Sequence, residues 1–193
     1  MPFSQSGQLS AIVRFAEQLQ PTSVLDVGTG MGQYGLLLRN NLENINLFDV
    51  EKGVQRPRSE WKVRIDGIEG FPAYRTPVHD HAYQHIWWEH AQARLPLLAD
   101  RAYELVICID VLEHFDKPEG EQVLRQLRRI ASRAVLISTP KDFHAQEVEA
   151  NPLENHRSHW SQQELAALGY GEILPDAESW IAVARADGER AAP

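Results

Sequence analysis

The sequence predicts an α/β fold: an open sheet of about seven strands, mostly parallel with an antiparallel last strand, and helices on both faces. Three observations support this fold class. Short apolar runs alternate with stretches of helical periodicity along the chain. A glycine-rich turn joins the first run to a helix, as in the first half of a βαβ unit. Two strands near the C-terminus are close enough in sequence to pair antiparallel.

Length and charge limit the organisation of the chain. The 193 residues fit a single domain, expected over residues 1–185, with residues 186–193 as a frayed tail. A formal net charge of −8 makes nucleic acid an unexpected partner, because its capture needs a basic face. There is no recognisable secretory signal and no apolar run of the roughly 18 residues that a membrane span needs. We therefore expect a cytoplasmic protein without a membrane partner, of undetermined oligomeric state.

The first elements are a helix, a strand and a second helix. Apolar residues recur at helical spacing from Ser6 to Leu19, and Pro21 prevents much continuation. Ser23 to Val27 is a short apolar strand that ends in a turn with three glycines, Gly28, Gly30 and Gly32. Leu36 to Leu38 then indicate a buried helix directly after the turn.

The second strand has two candidates. Trp61 to Ile68 is the stronger one and is followed by Glu69, whereas a strand from Ile45 to Phe48 would be followed by Asp49. We favour the first because Gly67 permits close approach of a ligand. The polar stretch 40–60 then forms a loop or insertion. Tyr83 to Trp88 is the expected third strand, and the loop before it contains His79, Asp80 and His81.

The remaining elements have clear signals. Leu105 to Ile109 is a continuous apolar run, typical of a central parallel strand covered on both faces. This run contains Cys108, the only cysteine, so a disulfide within one chain is excluded. A helix begins near Pro118, and Ala134 to Ser138 is the next strand. The last elements are a helix with a capping box (Ser161 and Glu164, reaching Leu168) and two strands, Glu172–Leu174 and Trp180–Ala184.

The glycine turn identifies a family resemblance. Val24-Leu25-Asp26-Val27-Gly28-Thr29-Gly30-Met31-Gly32 resembles motif I of the class I S-adenosylmethionine-dependent methyltransferases, which have a Rossmann-like fold, and the resemblance extends from about Thr22 to Ala184. It implies S-adenosyl-L-methionine as cofactor and S-adenosyl-L-homocysteine as product. A nicotinamide cofactor is disfavoured because Asp26 would repel a pyrophosphate and because Gln33 stands where the dinucleotide fingerprint has its third glycine.

The resemblance also implies roles for residues at the strand ends. Asp26 would position the methionine part of the cofactor, and the glycine turn, with Thr29, would pack against it. Glu69, or Asp49 as its rival, would accept hydrogen bonds from both ribose hydroxyls. The fourth strand is followed by Asp110 and Val111, which the resemblance places beside the cofactor.

The sequence departs from the family pattern after the third strand. The family commonly has an aspartate there that meets the adenine amino group, but this chain has His90, followed by Ala91. Either Glu89 substitutes by a shift of one residue, or His90 contacts adenine in another way. A neutral imidazole nitrogen can accept the amino hydrogen bond, and a solvated histidine with no such role is the alternative.

Candidate residues for the chemistry lie in two segments. His114 is the best candidate for a general base, because a neutral imidazole near pH 7 can remove a proton from an acceptor; alternatively it ties the loop to the next helix. In the segment 151–160, His156, Arg157 and His159 could hold an anionic or polar acceptor, or the segment is a solvated loop. The eight histidines form no recognisable metal motif, so no metal is expected.

These observations favour a methyltransferase that acts on a small molecule, because no separate domain for gripping a macromolecule is recognisable. The alternatives are a cofactor-binding module of the same fold without catalysis and, less favoured, an NAD-dependent oxidoreductase. The sequence leaves open the acceptor and the atom that is methylated.

Overall fold

The centre of the structure, a computed structural model that describes residues 6–186, is a seven-stranded sheet. Its strands are β1 Ser23–Val27, β2 Arg64–Ile68, β3 His85–Trp87, β4 Tyr103–Ile109, β5 Ala131–Pro140, β6 Glu172–Leu174 and β7 Ser179–Arg185. Their spatial order is β3-β2-β1-β4-β5-β7-β6, and β7 runs antiparallel to both of its neighbours. The predicted fold class is therefore confirmed, whereas the expected tail at 186–193 lies, apart from its first residue, outside the described residues.

Helices flank the sheet. Within residues 6–186 the α-helices are α1 Leu9–Leu19, α2 Gln33–Glu43, α3 Pro77–Ala82, α4 Ala91–Arg94, α5 Lys117–Ile130 and α6 Gln162–Ala167. Two apolar clusters form the core, one that includes the buried face of α5 and one that includes those of α1 and α2. The helix expected near Pro118 is α5, and the capping box of α6 is as predicted. None of the helices in these residues is long and apolar enough to cross a membrane.

The region 40–60 does not join the sheet. Beyond the end of α2 it forms a separate two-stranded hairpin of Phe48–Asp49 and Val54–Gln55. The preferred second strand is confirmed, although it begins at Arg64 rather than at Trp61. It pairs with β1 along its whole length, from Ser23 opposite Arg64 to Val27 opposite Ile68.

The prediction before the third strand was wrong. His79, Asp80 and His81 lie in α3 rather than in a loop, and the strand after them is limited to β3, His85–Trp87. Thr76 caps α3, and the ring of His79 completes a capping box by accepting the Thr76 backbone N–H at 3.0 Å. The usual partner at that position is Glu or Gln, so the pattern gave no sequence signal for a helix.

A candidate active-site cleft

A cleft opens beyond the carboxyl ends of β1, β2 and β4, where the strand order reverses. Its space, including the part that opens to solvent, is about 1010 Å³. Most of the predicted site residues line it: Gly28, Thr29, Gly30, Glu69, His90, Ala91, Asp110, Val111, His114 and Arg157. Asp26, Gly32, Asp49, His156 and His159 do not.

The glycine turn forms one wall of the cleft and needs its glycines. Gly28, Gly30 and Gly32 have φ angles of 80°, 53° and 91°, a region that side chains disfavour. A Cβ on Gly28 would also lie 2.3 Å from a methyl carbon of Val111. The turn therefore needs glycine for its backbone conformation and, at Gly28, for the space that Val111 occupies.

Asp26 lies behind this wall rather than in it. Its side chain is 2% exposed and accepts a hydrogen bond of 2.6 Å from the Tyr83 hydroxyl, which in turn accepts one of 3.1 Å from the Gly35 N–H. Burial raises the pKa of Asp26 to about 7. The sequence gave no signal for Tyr83 as a partner of the glycine turn, because the two are 57 residues apart.

Glu69 connects the end of β2 to the glycine turn. One carboxylate oxygen accepts the Gly30 N–H and the other accepts the Phe71 N–H, both at 2.8 Å. Burial raises the pKa of this carboxyl group. Its rival, Asp49, lies in the hairpin, where it accepts the Lys52 N–H at 3.1 Å. Of the two carboxylates, only Glu69 is at the cleft.

The end of β3 brings His90 and Ala91 to the cleft but not Glu89. Glu89 instead accepts a hydrogen bond of 2.8 Å from Nε of Arg94. This pairing disfavours Glu89 as a replacement for the family's aspartate after the third strand. The exposed His90 occupies that position at the cleft. Trp87 packs against the core, while Trp88 lies against the ring of His79, 5.1 Å between centroids, outside the cleft.

Asp110 is held from two sides at the end of β4. Its oxygens accept hydrogen bonds from the Ser138 hydroxyl at 2.6 Å and from the Gln8 amide at 2.5 Å. The backbone φ of Asp110, 53°, is unusual for a residue other than glycine. Gln8 precedes α1 and is fully buried, and no sequence pattern indicated that it reaches the site.

His114 lies in the turn after β4, within a 3₁₀ helix at Leu112–His114. Its Nδ1 is 3.3 Å from the carbonyl oxygen of Asn155, and burial lowers its pKa, which favours the neutral ring at pH 7. Beside it, Glu113 is 4% exposed, and burial raises its pKa to about 8. The position of His114 agrees with both the base and the loop-tying interpretations.

The segment 151–160 forms the opposite wall of the cleft. Asn151, Leu153, Glu154 and Arg157 line it; Asn151 precedes a short 3₁₀ helix at Pro152–Glu154, to which Leu153 and Glu154 belong. Tyr74 holds this wall: its hydroxyl donates to Glu154 at 3.0 Å and accepts from the Asn151 amide at 3.0 Å. Sequence reasoning missed Tyr74, which belongs to no motif.

Two of the three predicted acceptor contacts lie elsewhere. Nδ1 of His156 is 2.6 Å from the carbonyl oxygen of His144, and Nε2 of the exposed His159 is 2.7 Å from that of Lys141. Neither ring lines the cleft, so of the three only Arg157 is placed to meet an acceptor there.

Comparisons with known proteins agree with this geometry. A family model described as a methyltransferase domain matches residues 5–169. A search of curated proteins found no match. Several solved structures are similar in fold.

One is 1,6-didemethyltoxoflavin-N1-methyltransferase of Burkholderia thailandensis, solved with 1,6-didemethyltoxoflavin and S-adenosylhomocysteine: 12% identity, TM-score 0.64, 94% of this chain and 79% of that one. Another is the N-terminal domain of EvdMO1, solved in the presence of S-adenosylhomocysteine and D-fucose. Its sequence identity is 17% and its TM-score is 0.63, and the match covers 95% of this chain and 84% of that one. A third is a SAM-dependent methyltransferase from Archaeoglobus fulgidus: 14% identity, TM-score 0.54, 82% and 64%. The chain thus spans less than two thirds of that last protein.

Proposed function

The chain belongs to the methyltransferase domain family, and from this premise we propose that it transfers the methyl group of S-adenosyl-L-methionine to a small-molecule acceptor. One observation carries the proposal. A single cleft joins the glycine turn and Glu69 on one side to His114 and the segment 151–160 on the other. It therefore offers space for a cofactor beside a partner.

The residues on the glycine-turn side fit this cofactor. The turn has no Cβ atoms at Gly28 and Gly30 that would obstruct a ligand, and the carboxylate of Glu69 is fixed by two backbone N–H groups. Such an acid can accept hydrogen bonds from both hydroxyls of a ribose. Asp26, buried behind the turn with a pKa of about 7, carries only part of a negative charge at neutral pH, and a cationic ligand would favour its ionised form. The cofactor supplies a methyl group already activated on a sulfonium.

The opposite wall supports a small acceptor. It is formed by one short segment, 151–160, and Tyr74, so that within residues 6–186 no second domain is available to grip a macromolecule. Tyr74, Glu154 and Arg157 give this wall hydroxyl, carboxylate and guanidinium groups that could orient a polar molecule. The work of the chain is then to align the acceptor with the activated methyl group and to exclude water. Nucleic acid and membrane are not proposed as partners, and the compartment proposed is the cytoplasm.

His114 is the residue that could take a proton from the acceptor. If Nδ1 carries the hydrogen toward the Asn155 carbonyl, Nε2 has a free lone pair. The lowered pKa of the ring keeps it neutral at pH 7, as a base requires. Acceptors that lose their proton unaided would not need this step.

Calorimetric titration with S-adenosylmethionine, S-adenosylhomocysteine and NAD tests the cofactor. We expect the first two to bind and NAD not to bind, with a thermal shift for the ligands that bind. Saturation at about 100 times the dissociation constant adds about 2.7 kcal/mol of stability. Failure of folded protein to bind either sulfur ligand would refute the proposal.

Catalysis needs a separate measurement, since a module that only binds the cofactor would give the same titration. Release of S-adenosylhomocysteine is followed with panels of hydroxyl, amine, thiol and carbon acceptors of low molecular mass. Turnover of any acceptor excludes the non-catalytic alternative, which the unusual His90 otherwise favours.

A further inference from the structure

Three side chains lie close together near the acceptor end of the cleft, and of these only His114 lines it. Glu113, His114 and His156 each offer one ligand atom, and these three atoms lie within 4.8 Å of one another. The two imidazole rings are 5.2 Å apart between centroids and are tilted by 47°. Two of the residues come from the turn after β4 and the third from the segment between β5 and α6, so the cluster exists only in the folded chain.

Both imidazoles are oriented by backbone carbonyl groups. Nδ1 of His114 is 3.3 Å from the oxygen of Asn155, and Nδ1 of His156 is 2.6 Å from the oxygen of His144. With the hydrogen on Nδ1, each contact selects the tautomer that has its lone pair on Nε2. Histidine ligands of metals are usually held in this way, by an N–H donated from the other ring nitrogen.

The carboxylate of the cluster is buried without a basic partner. Glu113 is 4% exposed, and the Thr139 hydroxyl donates to one of its oxygens at 3.2 Å. Within residues 6–186, no lysine or arginine side chain forms an ion pair with it. A buried carboxyl group is neutral unless a positive charge accompanies it, and a divalent cation would replace its proton.

The geometry points to a binding site for one divalent transition-metal ion of the Zn²⁺ type, with Glu113, His114 and His156 as its protein ligands. Two imidazoles and one carboxylate form a donor set that zinc uses in open sites, where a further position remains for water or substrate. Ligand atoms around a tetrahedral zinc are roughly 3.4 Å apart, so side-chain movements of about 1 Å would close the cluster. The expectation of no metal rested on sequence motifs, which cannot detect ligands contributed by distant segments.

The ion would stand at the wall of the cleft, because His114 also lines it. Its effect on the reaction rests on the proposed function. A cation there could hold an oxygen of the acceptor and lower the pKa of that oxygen as a Lewis acid. The ion would bind the Nε2 lone pair of His114, so His114 could not also act as the base. The ion would then be the group that assists loss of the proton from the acceptor.

Titration of tag-free, metal-free protein with Co²⁺ tests the site, in the absence of S-adenosylmethionine. We expect one Co²⁺ per chain, with visible absorption that Zn²⁺ abolishes by displacement, and a higher unfolding temperature with Zn²⁺. His156→Gln and Glu113→Gln should each weaken Co²⁺ binding by more than about 100-fold, beyond the usual loss from an outer-shell change. The matched control is His159→Gln, which changes an exposed histidine of the same segment and should retain the wild-type Co²⁺ affinity.

Two results would overturn the site: no Co²⁺ absorption by folded wild-type protein, or an equal loss of affinity in the His159→Gln control. Circular dichroism of each variant distinguishes loss of a ligand from loss of the fold. S-adenosylmethionine titrations of the same preparations keep the two proposals apart. Co²⁺ binding without cofactor binding would refute only the proposed function, and the reverse result would refute only the metal site.

Discussion

The two walls of the cleft are built differently. On the glycine-turn side, Asp26 and Glu69 are buried, and their hydrogen bonds involve backbone N–H groups or the buried Tyr83 hydroxyl. On the other side, segment 151–160 is a loop with one short 3₁₀ helix, held by Tyr74, by contacts from histidine rings to carbonyl oxygens and by backbone N–H groups that donate to the Glu113 carbonyl oxygen. The first wall is built at strand ends, whereas the second lies outside the sheet. This division suits a constant cofactor beside a variable acceptor.

The largest expected effect is on the pH dependence of stability, through Asp26 on the glycine-turn side. The folded pKa of Asp26, about 7, lies above its ordinary value of 3.8, so the folded state retains the proton more tightly. The contribution to stability is then complete below pH 4 and is lost as the pH rises through 7, by up to about 4 kcal/mol. Urea unfolding of wild type and Asp26→Asn between pH 4 and pH 8 checks this, because asparagine does not titrate. A parallel pH dependence in both proteins would contradict the assignment.

Next in size is the effect of filling the glycine turn. Gly28→Ala combines a positive φ with a contact of 2.3 Å to Val111 and should destabilise the fold by about 3 kcal/mol. Gly53→Ala is the matched control, since Gly53 has a φ of 66° but no atom within 4 Å of an added Cβ. It should cost only the backbone term of about 1 kcal/mol.

The double variant Gly28→Ala/Val111→Ala should recover part of the stability lost in Gly28→Ala, because it removes the methyl group that the new Cβ meets. Chemical denaturation of the four proteins measures each term. Equal losses of stability for the two single glycine variants would show that the packing between Gly28 and Val111 is loose.

Removal of the Glu69 carboxylate should weaken S-adenosylmethionine binding roughly 100-fold, about 2.7 kcal/mol, as expected for lost hydrogen bonds to a charged group. Asp49→Asn, in the hairpin away from the cleft, should change the affinity only slightly. Calorimetry of Glu69→Gln and Asp49→Asn provides the comparison. A similar loss in both variants would mean that Glu69 has no direct contact with the ligand.

The smallest effect is the loss of stability when a tyrosine hydroxyl is removed, and it can be compared between one tyrosine on each wall. Tyr83→Phe leaves the buried Asp26 and the Gly35 N–H without their partner and should cost about 2 kcal/mol at neutral pH. Tyr74→Phe removes one partner each from the buried Asn151 amide and the half-buried Glu154 carboxylate and should cost about 1 kcal/mol. Thermal unfolding of both variants ranks the walls, and the opposite order would show that the wall outside the sheet is the more tightly held.

The sequence predicted the glycine-turn wall of the cleft better than the wall formed by segment 151–160. Spacing alone located β1, the glycine turn and Glu69, because a strand, its turn and the residue after the next strand are local patterns. Local patterns also produced a wrong element: at α3, His79 fills a capping position where glutamate is usual.

Contacts between distant segments could not be read from local patterns. Gln8 meets Asp110 across 102 positions, and Tyr74 meets Glu154 across 80. Each pair depends on how the elements pack, and neither residue type is distinctive on its own. The acceptor wall is therefore the part of the site for which the sequence gave the least information.

Finally, the edges of the sheet affect how the protein behaves in concentrated solution. Both edge strands, β3 and β6, are only three residues long, whereas β4, β5 and β7 inside the sheet have seven to ten. At one edge, Glu172 on β6 is paired with Arg185 on β7. Short strands with charged side chains are poor templates for a strand of another molecule. The sheet should consequently resist edge-to-edge aggregation, and its long apolar strands remain enclosed.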